Sequence, residues 1–261
     1  MTEPDLSKTS TAVANDADPW AGLRRLTAAR IGLPRAGASL ATAPLLEFRL
    51  AHARARDAVH APFAQARLHQ ELVGLGLPVV SVASAAADRH AYLMRPDLGR
   101  RLAPEAGVAL AAHAATYDLA IVVTDGLSAQ AVERHAGPVL AAVLPALLAH
   151  GWRVAPLVVV RHGRVAIGDA VAGALGAESV VVLIGERPGL SAPDSMGAYV
   201  TWRPRDTTTD ADRNCLSNIR PDGIAPADAA FKLTHLLREM RVRRLSGVML
   251  KDSSDVRSVE S

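Results

Sequence analysis

Val180-Val181-Val182-Leu183-Ile184 leaves few folds open to this chain. Five apolar residues in succession do not alternate with polar ones. Such a run reads as a strand buried on both faces, as in parallel sheets covered by helices. Gly185-Glu186-Arg187-Pro188-Gly189 follows at once. It sets a carboxylate beside a guanidinium in a loop bounded by glycines and stiffened by proline. Ligands of open α/β sheets bind in the crevice outside the carboxyl ends of the strands. The loop is therefore a candidate binding element.

The same pattern recurs upstream and downstream. Strands are expected at 118–123, 154–160 and 198–202, with helices at 127–135, 138–149, 168–175 and 225–245. Strands alternating with helices imply parallel pairing and right-handed crossovers. The expected fold is α/β, with a Rossmann-like, mostly parallel sheet flanked by helices over residues 102–250. Before it, residues 19–101 read as an N-terminal helical arm, with helices at 19–31, 42–59 and 63–75 and a strand at 77–82. Asp18 is the expected cap of the first helix, with Pro19 in its first turn. Residues 1–18 read as a disordered tail and 251–261 as a polar one.

The 261 residues are 49% hydrophobic but only 3% aromatic, so the core must be built from Ala, Val and Leu. Residues 20–101 carry 12 arginines and 5 acids, a net of +7, whereas 102–200 carry 5 arginines and 8 acids, a net of −3. Arginine favours fixed planar partners such as carboxylates or phosphates. A GC-rich coding sequence accounts for part of that excess. The arm's arginines are interspersed with apolar residues and lack an aromatic stacking platform, so a protein interface explains them better than nucleic acid. No apolar run of about 18 residues marks a membrane span, and the N-terminus lacks a secretory signal. The single cysteine, Cys215, forms no intrachain disulfide and suits a reducing cytoplasm.

Most familiar chemistries find no support. Thr124-Asp125-Gly126-Leu127-Ser128 has one glycine where a dinucleotide site needs a Gly-rich loop, and its acid would repel a pyrophosphate. The histidines show no zinc-like spacing with Cys215. Arg213 could lower the Cys215 thiol, but no histidine is near in sequence, and an unreactive cysteine is favoured. Asp88-Arg89-His90 begins the Asp-x-His-x-x-Gly run by which a protein histidine ligates cobalt, but residue 93 is leucine and the run stops.

Seven collinear phrases carry a resemblance. They are Thr27-Ala28-Ala29-Arg30-Ile31 with Gly32-Leu33-Pro34-Arg35-Ala36-Gly37, and His52-Ala53-Arg54-Ala55-Arg56-Asp57-Ala58-Val59. Tyr92-Leu93-Met94-Arg95-Pro96-Asp97-Leu98-Gly99-Arg100-Arg101-Leu102, Asp125-Gly126-Leu127-Ser128-Ala129 and Gly185-Glu186-Arg187-Pro188-Gly189-Leu190 follow. Pro193-Asp194-Ser195 and Arg213-Asn214-Cys215-Leu216-Ser217-Asn218-Ile219-Arg220 complete the set. Over roughly residues 19–250 the chain resembles the small (light) subunit family of ethanolamine ammonia-lyase.

That resemblance implies an adenosylcobalamin-dependent carbon–nitrogen lyase that converts ethanolamine to acetaldehyde and ammonia by a radical route. The large subunit, a barrel, binds the substrate. The small subunit contributes no catalytic or metal-ligating residue and helps hold the cofactor between the subunits, six of each in the assembly. A cytoplasmic location follows, in many bacteria within a microcompartment. Carried over by motif, the cobalamin contacts are Val165 of Gly-Arg-Val, Glu186 of Gly-Glu-Arg-Pro-Gly and Cys215 of Asn-Cys-x-Ser-Asn. A carboxylate accepts hydrogen bonds from corrin amides. Valine offers backbone polar groups and an apolar contact, and cysteine tolerates close approach. Arg187 has two readings: it pairs with a carboxylate and holds its loop, or it contacts the cofactor's side chains or phosphate. The alternative function is a stand-alone Rossmann-like nucleotide-binding enzyme.

Overall fold

The computed structural model describes residues 19–254, so Asp18, the expected N-terminal tail and residues 255–261 of the expected C-terminal one lie outside the described residues. The chain divides into two compact units at His52 and Ala53. In the first, the helix expected over 19–31 shortens to one turn, α1 (Ala21–Arg24). Past it the chain bends back. Arg24 Nη1 caps that bend by donating to Ile31 O at 3.1 Å and Gly32 O at 2.6 Å. A two-residue hairpin follows, β1 (Arg35–Ala36) with β2 (Ser39–Leu40), and then α2 (Thr42–His60), which runs across the unit boundary.

The second unit holds a six-stranded sheet. Its elements are α3 (Gln65–Val73), β3 (Val79–Ala83), α4 (Arg89–Met94), α5 (Pro104–Ala111), β4 (Tyr117–Thr124) and α6 (Ala129–Ala149). β5 (Leu157–Arg161), α7 (Ile167–Leu175), β6 (Ala177–Gly185), β7 (Met196–Trp202), β8 (Arg213–Ile219) and α8 (Pro226–Arg243) complete it. The strand order is β3-β5-β4-β6-β7-β8. Its first three pairings are parallel and its last two antiparallel. The fold is α/β with a mostly parallel sheet, as the sequence implies. Numbered along the chain, the sheet strands lie in the order 1-3-2-4-5-6, which differs from the 3-2-1-4-5-6 of the dinucleotide-binding fold. Residues 53–101, grouped with the arm on sequence, lie in the second unit, because β3 pairs with β5 from Val79↔Leu157 to Ala83↔Arg161.

The Val180–Ile184 run is buried on both faces, and its residues divide by parity. Val181 and Leu183 join a core with α3, α6 and α8, while Val180, Val182 and Ile184 join one with α5 and α7. A helix placed on each face thus explains why the run shows no alternation.

One boundary differs from the sequence pattern. Pro138 divides residues 127–149 into two expected helices, yet α6 is continuous through Pro138 and Pro145. A proline costs a helix one hydrogen bond and crowds the preceding turn. Here Val132, Val139, Leu140, Val143, Leu144 and Leu147 are buried in one core, and that burial outweighs the helix-breaking tendency. By length and composition α6 could cross a membrane, but 56% of its apolar window is buried inside the protein.

His135 on α6 is buried, and its Nε2 has no hydrogen-bond partner. Asp194 Oδ2 stands 4.0 Å away. Burial pulls the imidazole below its ordinary 6.5, against the pull of Asp194. The neutral ring is thus the folded form. A histidine depressed on folding contributes stability that is full above pH 6.5 and lost as pH falls through the lower folded value. Thermal midpoints taken between roughly pH 7.5 and 5.5 are expected to fall in the native chain and to fall less in His135→Gln. Identical slopes would remove His135 as the cause.

Candidate functional site

Parallel strands β3, β4, β5 and β6 all end on one side of the sheet. Antiparallel β7 starts there and β8 finishes there, since Gly185 pairs with Met196 and Met196 with Ile219. Glu186 follows β6 at this edge. Its backbone N–H donates to Ser195 O at 2.9 Å. Its carboxylate accepts from Ser195 Oγ, from Ser217 Oγ at 2.5 Å and from the Asn218 backbone N–H at 3.1 Å. One side chain therefore joins the start of β7 to the end of β8. A carboxylate offers about four acceptor positions, so one remains for a ligand N–H.

Beside Glu186 lies a cavity of about 440 Å³, bounded by Val165, Arg164, Tyr92, Tyr199 and Arg187 among others. Val165 reaches it from the turn between β5 and α7. That turn is held by buried Asp125, whose carboxylate accepts from the His162 N–H at 2.7 Å and from Arg89 Nη1 at 3.0 Å. Burial pushes the Asp125 carboxyl above the usual range, and Arg89 opposes the shift. His162 takes φ +60°, a left-handed conformation costly for a side chain with a Cβ. Its ring stacks on Tyr92 at 5.8 Å. Tyr92 is wholly buried, and burial lifts its hydroxyl to about 12, so it stays neutral. The Arg164 guanidinium lies 4.2 Å over the Tyr92 ring, and its Nη2 donates to Tyr92 O at 3.1 Å.

Cys215 occupies edge strand β8 directly across from Tyr199, whose ring lines the cavity. Although the residue is exposed, loss of hydration at the sulfur raises the thiol above its usual value. A raised thiol is a poor nucleophile, so the low-pKa reading prompted by Arg213 does not hold. Arg213 is committed elsewhere: Nη1 donates to Asp169 Oδ1 at 2.7 Å and Nη2 to Asp169 Oδ2 at 2.5 Å. Asp169 is on α7, four residues after Val165, and Arg213 is on β8, two before Cys215. This buried pair ties together the elements that carry Val165 and Cys215.

Of the three sequence-nominated residues, Val165 and Glu186 lie at this end of the sheet, whereas Cys215 sits four residues before the end of β8, level with Tyr199 and Val182. Val165 and Glu186 line one cavity, and Cys215 pairs across the strands with Tyr199 of its lining. Arg187 is exposed and, among the described residues, has no ion-pair or hydrogen-bond partner, which does not support the reading in which it pairs to hold its loop. Sequence reasoning missed Tyr92, Tyr199 and the Asp169–Arg213 pair. Their partners lie 44 to 72 positions away or on a strand not read from the pattern. Asp88 caps α4, Arg89 braces Asp125 and His90 is exposed, so that run is structural. Among the described residues no group of three or more His, Cys, Asp or Glu could hold a metal ion.

Five of the seven phrases meet here. Leu127 N donates to Gly185 O at 2.9 Å, Ser128 Oγ to Pro193 O at 2.9 Å and Arg164 N to Gly99 O at 2.7 Å. The family model "Ethanolamine ammonia-lyase light chain (EutC)" matches residues 17–251. An ethanolamine ammonia-lyase small subunit of Azotobacter vinelandii is 57% identical over 243 residues, covering 92% of this chain and 90% of the relative. Small subunits of Ralstonia nicotianae and Xanthomonas campestris are 54% and 57% identical, each covering 94% of this chain and 92% of the relative. With the family model matched over residues 17–251 and these relatives 54–57% identical over more than nine-tenths of the chain, this chain belongs to the ethanolamine ammonia-lyase light-chain family.

Proposed function

We propose that the chain is the small subunit of an adenosylcobalamin-dependent ethanolamine ammonia-lyase and holds part of the cofactor against a large catalytic subunit. The observation that carries this reading is one cavity lined by Val165 and Glu186, with Cys215 paired across the strands to Tyr199 of its lining. The lining suits the group: guanidiniums donate to amide carbonyls or a phosphate, and Glu186 accepts from an amide NH2. A cavity of about 440 Å³ is smaller than a cobalamin, as expected of a half-site completed by another chain. When bound, the cofactor supplies the radical by homolysis of its cobalt–carbon bond. This chain's residues bind and orient it, and none is needed to move a proton. The large-subunit contact is assigned to the arm, where Leu26, Leu46 and Leu50 are exposed. Six of each subunit then assemble in the cytoplasm or its microcompartment.

Mixing this chain with the large subunit is expected to give adenosylcobalamin-dependent release of ammonia from ethanolamine. If the mixture binds no cobalamin, the proposal is lost. Within that complex, Glu186→Gln is expected to weaken cobalamin binding by on the order of 1–3 kcal/mol, since an amide donor replaces an acceptor. Unaltered affinity would leave Glu186 only its role of joining β7 to β8.

A further inference from the structure

Arg187 is the exposed guanidinium of this cavity, and among the described residues no carboxylate engages it. Arg164 shares the cavity, but its plane is fixed on Tyr92 and its buried Nε has no hydrogen-bond partner. Glu186 is the acid in the lining, and three donors from its own chain already occupy it. The cavity therefore keeps two guanidiniums against one largely satisfied carboxylate. That surplus of positive charge complements a monoanion, and a planar guanidinium prefers phosphate oxygens over a neutral amide carbonyl.

We infer that Arg187, with Arg164 beside it, binds the phosphodiester of the cofactor's nucleotide loop and so selects the complete corrinoid over one lacking that loop. The inference rests on the cofactor-holding reading above and extends it to specificity. Arg164 is the preset half of the clamp. Arg187, on the loop between β6 and β7, would supply the second, exposed guanidinium. Neither residue exchanges a proton with it.

The test uses the complex of this chain with its large subunit and two probes, adenosylcobalamin and adenosylcobinamide. The second has the same corrin without phosphate, ribose and base. Dissociation constants are read by equilibrium dialysis. Arg187→Ala is expected to weaken adenosylcobalamin roughly ten- to a hundredfold and to leave adenosylcobinamide within about twofold. Arg187→Lys should fall between, since it keeps the charge and loses the fork. The salt dependence of adenosylcobalamin binding should flatten in Arg187→Ala. Arg205→Ala, in the neighbouring cavity, should change neither affinity. Equal weakening of both probes would assign Arg187 to corrin amides and overturn the inference. So would no change in either, or an effect confined to Arg205→Ala. If the unsubstituted complex binds neither probe, the cofactor-holding reading falls first and takes this one with it. Arg187 is exposed and has no bonded partner among the described residues, so an unchanged melting temperature separates lost recognition from lost folding.

Discussion

Asp169→Asn is expected to cost about 3–5 kcal/mol of folding free energy, because it leaves the buried Arg213 guanidinium only the fully exposed Asp210 carboxylate at 3.8 Å as counter-charge. The Arg213 and Asp169 side chains are 2% and 12% exposed, so water screens the pair little. Thr201 Oγ1 would remain on Arg213 Nη1 at 3.0 Å, but it carries no charge. For a domain of this size the cost lowers the melting temperature by roughly 6–20 °C. The double variant Asp169→Leu with Arg213→Met removes both charges and is expected to recover most of the loss. A melting temperature unchanged in Asp169→Asn would show that the pair contributes nothing net. Beyond stability, the substitution loosens α7 from β8, and with them Val165 from Cys215. Cobalamin affinity in the assembled enzyme should fall even though Asp169 itself is not a proposed ligand.

The second large effect is at Gly185. An added Cβ would lie 2.5 Å from Asp125 O and closer still to Ser128 O, and both obstacles are backbone. Neither can rotate away, so the β6 end and the 125–128 turn must separate and lose the Leu127 N–H to Gly185 O bond of 2.9 Å. Gly185→Val is expected to cost about 3 kcal/mol or more, the upper end for overpacking a tight core. Gly189, the other glycine of the same loop, provides the contrast. Its added Cβ would meet nothing nearer than Ala192 at 3.8 Å, so Gly189→Ala should stay within about 0.5 kcal/mol. Denaturant unfolding of the two variants checks both values. Equal losses would show that the loop, and not the backbone contact, sets the requirement for glycine.

These two glycines show where a sequence pattern ends. Gly185-Glu186-Arg187-Pro188-Gly189 reads as one rigid charged loop, and it sits at the carboxyl end of a buried strand, as expected. Within it the residues do different work. Gly185 permits two backbones to touch, Glu186 joins β7 to β8, and Arg187 faces the cavity. Local pattern could not separate these roles, because Ser195, Ser217 and Asn218 are 9 to 32 positions from Glu186. Strand β8 was not legible either. Arg213-Asn214-Cys215-Leu216-Ser217-Asn218-Ile219 has few apolar residues, since it is an edge strand with one face partly exposed. The direction of β7 was equally hidden. Side chains alternate faces in the same way whether a strand is parallel or antiparallel.

From residue order alone came the elements whose cause is local or periodic. Unbroken apolar runs became strands covered on both faces, and the helical spacing of 42–59 became α2. The motif phrases carried the family, because matching a string needs no geometry. Tertiary structure alone decided what those phrases build. Burial kept α6 continuous through two prolines. An ion pair 44 positions apart joined α7 to β8. Three donors brought in by β7 and β8 occupied Glu186 and left Arg187 facing the cavity. Each outcome depends on atoms distant in the chain and close in space, and hydrogen bonds, ion pairs and steric overlap act only over the second kind of distance.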